Sequence, residues 1–480
     1  MSDRRNVIPV RNPRTGEADY YITPASPEEV AAECRRLRAA QPAWASIPVA
    51  NRADVLRYWA DAIVAARDRI GAAEAVDTGR IRVAHEVPMM VAAGLRGWAD
   101  RAEEIINSAR LSGGSTSMPG VTFSTQLVPY QLVGAITPWN HPFLLATLDA
   151  IPALLAGCAV LIKPSEIAPR FVEPVLETLR AVPELAAVLS FVVGDGKTGQ
   201  ALIANVDAQC FTGSIATGRK VAEACARRFI PAFLELGGKD AAIVTASADL
   251  DRAATAVIRG AVHNTGQICF ATERVYVQDA VHDRFVDRLV RECESLELTW
   301  PDPKSGHIGP FILERQAEIV DAQLNDAVAQ GAVIRTGGRS ERLGGGLYMR
   351  ATVITGVNHS MALMREETFG PVIPVMRYGS DDEAIELAND SEFGLSGAVI
   401  AGSADEAARL GQRMDAGAIS LQDAALTIAI MRDAEKTSFR FSGLGGSRMG
   451  PASLLRFFRR KALILHNGPT VPMASLGERA

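Results

Sequence analysis

Val133-Gly134-Ala135-Ile136, Ala159-Val160-Leu161-Ile162, Leu189-Ser190-Phe191-Val192-Val193 and the run from Ala208 to Phe211 are short apolar segments set between helical stretches such as Phe171 to Ala181 and Lys220 to Arg228. Apolar runs of this length read as strands buried on both faces. Their alternation with helices from about Gln131 to Val244 predicts a parallel, doubly wound sheet with ligands at the strand carboxyl ends. After Gly237-Gly238 a second alternating region runs to about Gly417 and predicts a second α/β domain. Upstream, Ser26-Pro27-Glu28-Glu29 combines a capping serine, a first-turn proline and a reciprocating glutamate, so a helix starts there. Helical patterning then continues to about Arg110, broken near Pro48 and at Asp77-Thr78-Gly79-Arg80. Leu111-Ser112-Gly113-Gly114-Ser115 changes the texture, and Val121 to Val133 alternates like a strand pair, an excursion suited to pairing with another subunit. From Pro451 the tail returns to a helix and a final short strand, Ala462 to Leu465.

The chain has 480 residues, too many for a single core, with 48% hydrophobic and 22% charged residues, as in ordinary globular proteins. A net charge of −5 argues against a nucleic-acid surface. The basic-aromatic cluster Arg456-Phe457-Phe458-Arg459-Arg460-Lys461 reads as an amphipathic terminal segment rather than a nucleic-acid or membrane site. Leu144 to Ile162 is apolar but contains Asp149, Pro152 and Gly157, so it reads as paired core elements. Met1-Ser2-Asp3-Arg4-Arg5 precedes no signal-like apolar stretch, and the six cysteines form no Cys-x-x-Cys pair. A cytoplasmic protein with free thiols is expected. Cys158, Cys210 and Cys225 read as buried apolar fillers, and Cys34 and Cys293 as surface or half-buried thiols. The seven histidines show no ligand spacing, so no metal site is expected.

Cys269 lies in Asn264-Thr265-Gly266-Gln267-Ile268-Cys269-Phe270, where polar residues and a glycine present the thiol on a loop. Glu235, in Phe233-Leu234-Glu235-Leu236-Gly237-Gly238-Lys239, closes an apolar strand. A thiol nucleophile and a carboxylate that activates water are the parts that covalent oxidation of an aldehyde needs. In Thr137-Pro138-Trp139-Asn140-His141-Pro142-Phe143, Asn140 is a rigid amide donor suited to a developing alkoxide. His141 is given no catalytic role. Lys163 and Glu166, in Lys163-Pro164-Ser165-Glu166, can hydrogen-bond ribose hydroxyls from a strand end, with Glu166 repelling a 2′-phosphate; alternatively they are a surface pair capping the next helix. Two glycine loops compete for phosphate: the literal G-x-G-x-x-G of Gly194-Asp195-Gly196-Lys197-Thr198-Gly199, and Phe211-Thr212-Gly213-Ser214-Ile215-Ala216-Thr217-Gly218.

Taken with Glu366-Glu367-Thr368-Phe369-Gly370-Pro371 and Asn389 to Ser396, these segments resemble the aldehyde dehydrogenase superfamily, in order and over nearly the whole chain. The resemblance implies a Rossmann-type cofactor domain (1–110 and 129–237), a second α/β catalytic domain (238–440), and a small β oligomerisation arm with the C-terminal segment (111–128 and 451–480). It implies Cys269 as nucleophile, Glu235 as base, and an oxyanion site made of Asn140 with the Cys269 amide. Cofactor contacts follow at Thr137, Pro138 and Trp139, at Lys163, Ser165 and Glu166, and at Thr212, Gly213, Ser214 and Gly218. Leu236, Glu367 beside the nicotinamide ribose, and Phe369 beside the nicotinamide complete that set. The second glycine loop, not the first, then faces the pyrophosphate. NAD is the expected cofactor, with NADP the alternative, and a homodimer or homotetramer the expected assembly.

The C-terminal region departs from the family pattern, with Leu421-Gln422-Asp423 for the usual valine-asparagine pair and Lys436-Thr437-Ser438-Phe439-Arg440-Phe441 where Pro-Phe-Gly-Gly-x-Lys is usual. Ser447 stands where a glutamate is common. Ala424 to Met431 with Phe270 favours an apolar or aromatic aldehyde, whereas Arg432, Lys436 and Arg440 offer partners for the carboxylate of a semialdehyde. Transfer to coenzyme A and a non-catalytic member of the fold are the remaining alternatives.

Overall fold

The computed structural model describes residues 7–470 and 472–478; the N-terminal Met1–Arg5 reading lies outside them. The first sheet has five parallel strands in the spatial order Leu189–Phe191, Ala159–Lys163, Leu132–Ile136, Ala208–Thr212 and Ala232–Glu235, with Gly443–Leu444 added antiparallel at the outer edge. Every residue of Ala159–Lys163 and of Ala208–Thr212 is buried, which is why these strands are continuous apolar runs rather than alternating ones. Chain direction across the sheet reverses at Leu132–Ile136, so the crevice expected at such a point lies beyond its carboxyl end. The helices Pro27–Ser46, Ala150–Ala156 and Gly196–Ile203 pack on this sheet. Pro27–Ser46 starts with the capping box expected from sequence: Ser26 Oγ accepts from Glu29 N, and the Glu29 carboxylate accepts from Ser26 N at 2.8 Å.

Immediately after Gly237-Gly238 the chain enters a second, seven-stranded sheet. Its order is Val333–Thr336, Thr352–Thr355, Val372–Tyr378, Thr272–Gln278, Asp240–Val244, Ser396–Ile400 and Ala418–Leu421, parallel except at the Val333–Thr336 edge. The third element is an antiparallel sheet in which Val121–Pro129 runs between Ser112–Gly114 and Phe458–His466. The strand pair expected over Val121 to Val133 is therefore divided differently. Val121–Pro129 belongs to this projecting sheet, and Leu132–Ile136 is the central strand of the core. Alternation continued through the junction and hid it. Leu463, Ile464 and Leu465 are exposed on the outer strand.

Cys34 and Cys293 correct the surface expectation: both are buried, because each falls on the inward stripe of a helix whose other positions are charged. The C-terminal segment is fastened to the first core through charge. Arg448 forks onto Asp149 (Nε to Oδ1 at 2.9 Å, Nη2 to Oδ2 at 2.8 Å), and Arg456 joins at Oδ1. Burial pushes the Asp149 carboxyl up, but the two guanidiniums prevail and hold it below the usual range. Asp149→Ala should lower stability by about 3–5 kcal/mol, since it strands two buried cations. Denaturant unfolding reads this directly, and a loss below about 1 kcal/mol would show the triad to be dispensable.

Candidate active site

The first sheet delivers most of the candidate residues to one edge. Leu132–Ile136 runs out into Thr137-Pro138-Trp139-Asn140, Ala159–Lys163 into Pro164-Ser165-Glu166, and Ala208–Thr212 into Gly213-Ser214. Ala232–Glu235 ends at Glu235 itself, which lies in register with Thr212. The second sheet supplies Cys269 just before its strand Thr272–Gln278.

The cysteine loop is held in an unfavourable backbone conformation. Asn264 and Thr265 have φ of 53° and 60°, rare for any non-glycine residue and more so for β-branched Thr265. Buried hydrogen bonds hold it there: Thr265 Oγ1 donates to Gly309 O at 3.1 Å, and Gln267 Oε1 accepts from Ile312 N at 3.0 Å. Gly266, at φ 71°, lies so close to Gly370 that a Cβ would sit 2.2 Å from its carbonyl oxygen. Asn140 Nδ2 donates to Gln267 O at 2.9 Å, and Asn264 Nδ2 donates to Asn140 O at 3.1 Å. Arg80 Nη1 in turn donates to Asn264 Oδ1 at 3.0 Å. The Asn140 amide is thereby fixed beside the cysteine loop with a second N–H still available. His141 is half-buried, and desolvation, with His263 and Arg80 nearby, drops its pKa to about 3, so it is neutral.

Cys269 is half-buried, the least enclosed of the six thiols. Burial pushes its thiol up to about 12; Lys436 opposes this, while Glu367, Glu235 and Asp240 add to it. Glu235 Oε2 accepts from Ser438 Oγ at 2.8 Å and faces Lys436 Nζ at 3.5 Å. Lys436 and Ser438 come from the stretch that departs from the family pattern. Lys436 and Arg440, read from sequence as candidate partners for a carboxylate tail, both have partners within the protein. Lys436 turns inward to Glu235, and Arg440 is bound to Asp415 and to the carbonyls of Asn389 and Ser391. Gln422 and Ser447 are ties within the fold: Gln422 Oε1 accepts from Ala401 N, and Ser447 Oγ from Lys436 N.

Thr137 Oγ1 and Thr212 Oγ1 are buried without a hydrogen-bond partner, as expected of groups awaiting a polar ligand. Ser214 caps the helix Ile215–Arg227, its side chain accepting from Thr217 N. In the competing loop, Asp195 caps Gly196–Ile203 and already occupies the Lys197 and Thr198 amides. Lys163 Nζ is buried and meets Glu166 Oε2 at 3.3 Å. Trp139 and Phe369 meet edge-to-face at 5.5 Å. Phe369 has φ 52°, held by Glu273, which accepts from Thr368 N and Phe369 N, both at 2.8 Å. Lys239 Nζ anchors Glu273 at 2.9 Å. Burial, reinforced by Glu273, raises the Glu367 carboxyl well above the usual range; Gly238 N donates to it at 3.3 Å. Glu273 escaped sequence reasoning, although an acid inside the buried run Thr272-Glu273-Arg274 was a usable signal. A cavity of about 660 Å³ lies next to Arg80 and His263 but is not lined by Cys269, Glu235 or Asn140.

The pattern of the Aldehyde dehydrogenase family matches residues 1–463, and the chain belongs to that family. It is an oxidoreductase of the class that works with NAD or NADP. Betaine aldehyde dehydrogenase of Amaranthus hypochondriacus is 37% identical over 429 residues, covering 87% of this chain and 85% of the relative. A Mycolicibacterium smegmatis protein, named among the NADP(+) succinate-semialdehyde dehydrogenases, is 36% identical over 95% of this chain and 88% of its own. Among solved structures, PutA from Anabaena variabilis, named as an aldehyde dehydrogenase, superposes with a TM-score of 0.94 at 50% identity, covering 98% of this chain and 99% of that one.

Because the Cys269 thiol lies far above neutrality, its alkylation by iodoacetamide in the free enzyme should rise about tenfold per pH unit from pH 7 to 9. A plateau below pH 8, followed on the Cys269 peptide by mass spectrometry, would contradict that environment.

Proposed function

We propose that the protein is an NAD-dependent, non-acylating aldehyde dehydrogenase that oxidises an aldehyde to a carboxylic acid. The observation that carries this reading is that Asn140 is hydrogen-bonded to the Gln267 carbonyl two residues before a half-buried Cys269, on whose thiol the Glu235 carboxylate acts. Cys269 releases its proton to solvent and its sulfur attacks the carbonyl carbon, forming a thiohemiacetal oxyanion. The free Asn140 N–H and the Cys269 N–H stabilise that oxyanion. The oxidised nicotinamide supplies the hydride acceptor. Loss of hydride leaves a thioester on Cys269. Glu235 takes a proton from water, the hydroxide adds to the thioester, and the carboxylic acid leaves as the thiol is restored.

Cofactor contacts are assigned to Thr137, Pro138 and Trp139, to Lys163, Ser165 and Glu166, to Thr212, Gly213, Ser214 and Gly218, and to Leu236, Glu367 and Phe369. Residues 1–110 and 129–237 form the cofactor domain and 238–440 the catalytic domain. The arm comprises 111–128 and 451–480; the unpaired outer edge of Phe458–His466 with its exposed leucines supports sheet extension across a homodimer or homotetramer. A cytoplasmic location is supported by six free cysteines.

An apolar or aromatic aldehyde is the favoured substrate, supported by exposed Leu426 and Ile428 and by the engagement of Lys436 and Arg440 elsewhere. Arg432 keeps a semialdehyde as the second reading, in keeping with the name of the mycobacterial relative. NADH formation across aliphatic, aryl and semialdehyde substrates, with and without coenzyme A, tests the whole reading. Turnover without coenzyme A, abolished in Cys269→Ala, is expected; an absolute requirement for coenzyme A would refute hydrolysis. If Arg432→Ala impairs semialdehydes alone, the apolar reading fails. Glu166→Gln should improve NADP use relative to NAD by about fivefold or more, because it removes a charge facing the 2′-phosphate; an unchanged ratio would place Glu166 away from the ribose.

A further inference from the structure

We infer that Lys436 is a positioning residue of the reaction: its buried ammonium is the counter-cation that holds the Glu235 carboxylate and attracts the negative charge forming on Cys269. The inference rests on the proposed roles of those two residues, but it concerns a lysine that the sequence pointed toward substrate instead.

The geometry is a closed triangle. Lys436 Nζ lies 3.0 Å from Ser438 Oγ and 3.5 Å from Glu235 Oε2, and Ser438 Oγ donates to the same carboxylate oxygen at 2.8 Å. The Lys436 side chain is only 4% exposed, so its charge is little screened by water. Both ends of the triangle are fixed to the backbone. Gly443 pairs with Glu235 as a sixth strand, and Leu236 N donates to Ser442 O at 2.9 Å. Lys436 N donates to Ser447 Oγ, which itself bonds both the amide and the carbonyl of Met449.

The surrounding charges give this ammonium its importance. Glu235, Glu367 and Asp240 all act on Cys269 and disfavour a thiolate, and Lys436 is the cation opposing them. Arg448 also acts on Glu235, but its guanidinium is committed to Asp149. Asp240 is tied to Ser396, whose amide donates to it at 3.1 Å. A buried ammonium beside an anionic base, acting also on a forming thiolate, lowers the cost of both charges, whereas a neutral side chain there leaves the Glu235 carboxylate and the sulfur without that counter-charge.

The test compares Lys436→Met, Lys436→Arg and Ser438→Ala in the full-length enzyme, using peptide-resolved iodoacetamide alkylation of Cys269 at pH 8 and steady-state kcat and KM. Lys436→Met should slow alkylation about tenfold, the equivalent of one pKa unit, and lower kcat more than KM changes. Lys436→Arg should restore alkylation to within about threefold of the parent. Ser438→Ala removes the hydroxyl tether and keeps the cation, so it should lower kcat while alkylation holds; this arm remains informative if Lys436→Met does not fold. Parental alkylation in Lys436→Met, slowing in Lys436→Arg equal to that in Lys436→Met, or an unchanged kcat in Ser438→Ala would each overturn the inference. Failure of the underlying reading looks different: Cys269→Ala would then keep its turnover.

Discussion

One carbonyl oxygen joins the two halves of the site. Gln267 O accepts from Asn140 Nδ2 at 2.9 Å and from Asn264 Nδ2 at 3.2 Å, so the turn that ends the central strand of the first sheet is fixed to the loop that precedes a strand of the second. The two left-handed residues, the glycine pressed against Gly370 and the buried Arg80–Asn264 bond all serve to hold that carbonyl in place. Left-handed conformations at non-glycine residues cost on the order of 1–3 kcal/mol each and persist only where neighbouring contacts impose them. Here they bring an amide donor and a thiol together from elements distant in sequence.

The parallel sheet was legible because strands buried on both faces leave apolar runs with no polar alternation, and Ala159–Lys163 is the clearest case. The capping box at Ser26 was legible for an equally local reason. The division between arm and core was not, because period-two alternation carries no information about which partner a strand selects. Cys34 and Cys293 were misplaced for a related reason: charged neighbours in sequence point away from them on a helix.

Cys269, Glu235 and Asn140 stood out because each interrupts a pattern, whether by polarity, by charge at the end of an apolar strand, or by rigid flanking residues. The partners of Glu235 did not. Lys436 and Ser438 lie in a stretch whose family pattern is broken, and long-range pairings, the antiparallel addition of Gly443–Leu444 to the first sheet among them, bring that stretch against the base. Side chains recruited by long-range strand pairing carry no local signature. The same holds for Glu273, which fixes the strained Phe369 backbone from a strand far away in sequence.

The Lys436–Phe441 departure from the family pattern is thus set against one carboxylate, and the chemistry assigned to that carboxylate is the centre of this account. Its most direct test is mass spectrometry of the Cys269 peptide after mixing Glu235→Gln enzyme with an aldehyde that the parent oxidises and NAD. The account predicts that an acyl group accumulates on Cys269 as one equivalent of NADH forms and turnover stalls. Undiminished turnover in that variant, or an NADH burst with no acyl group on Cys269, would contradict it.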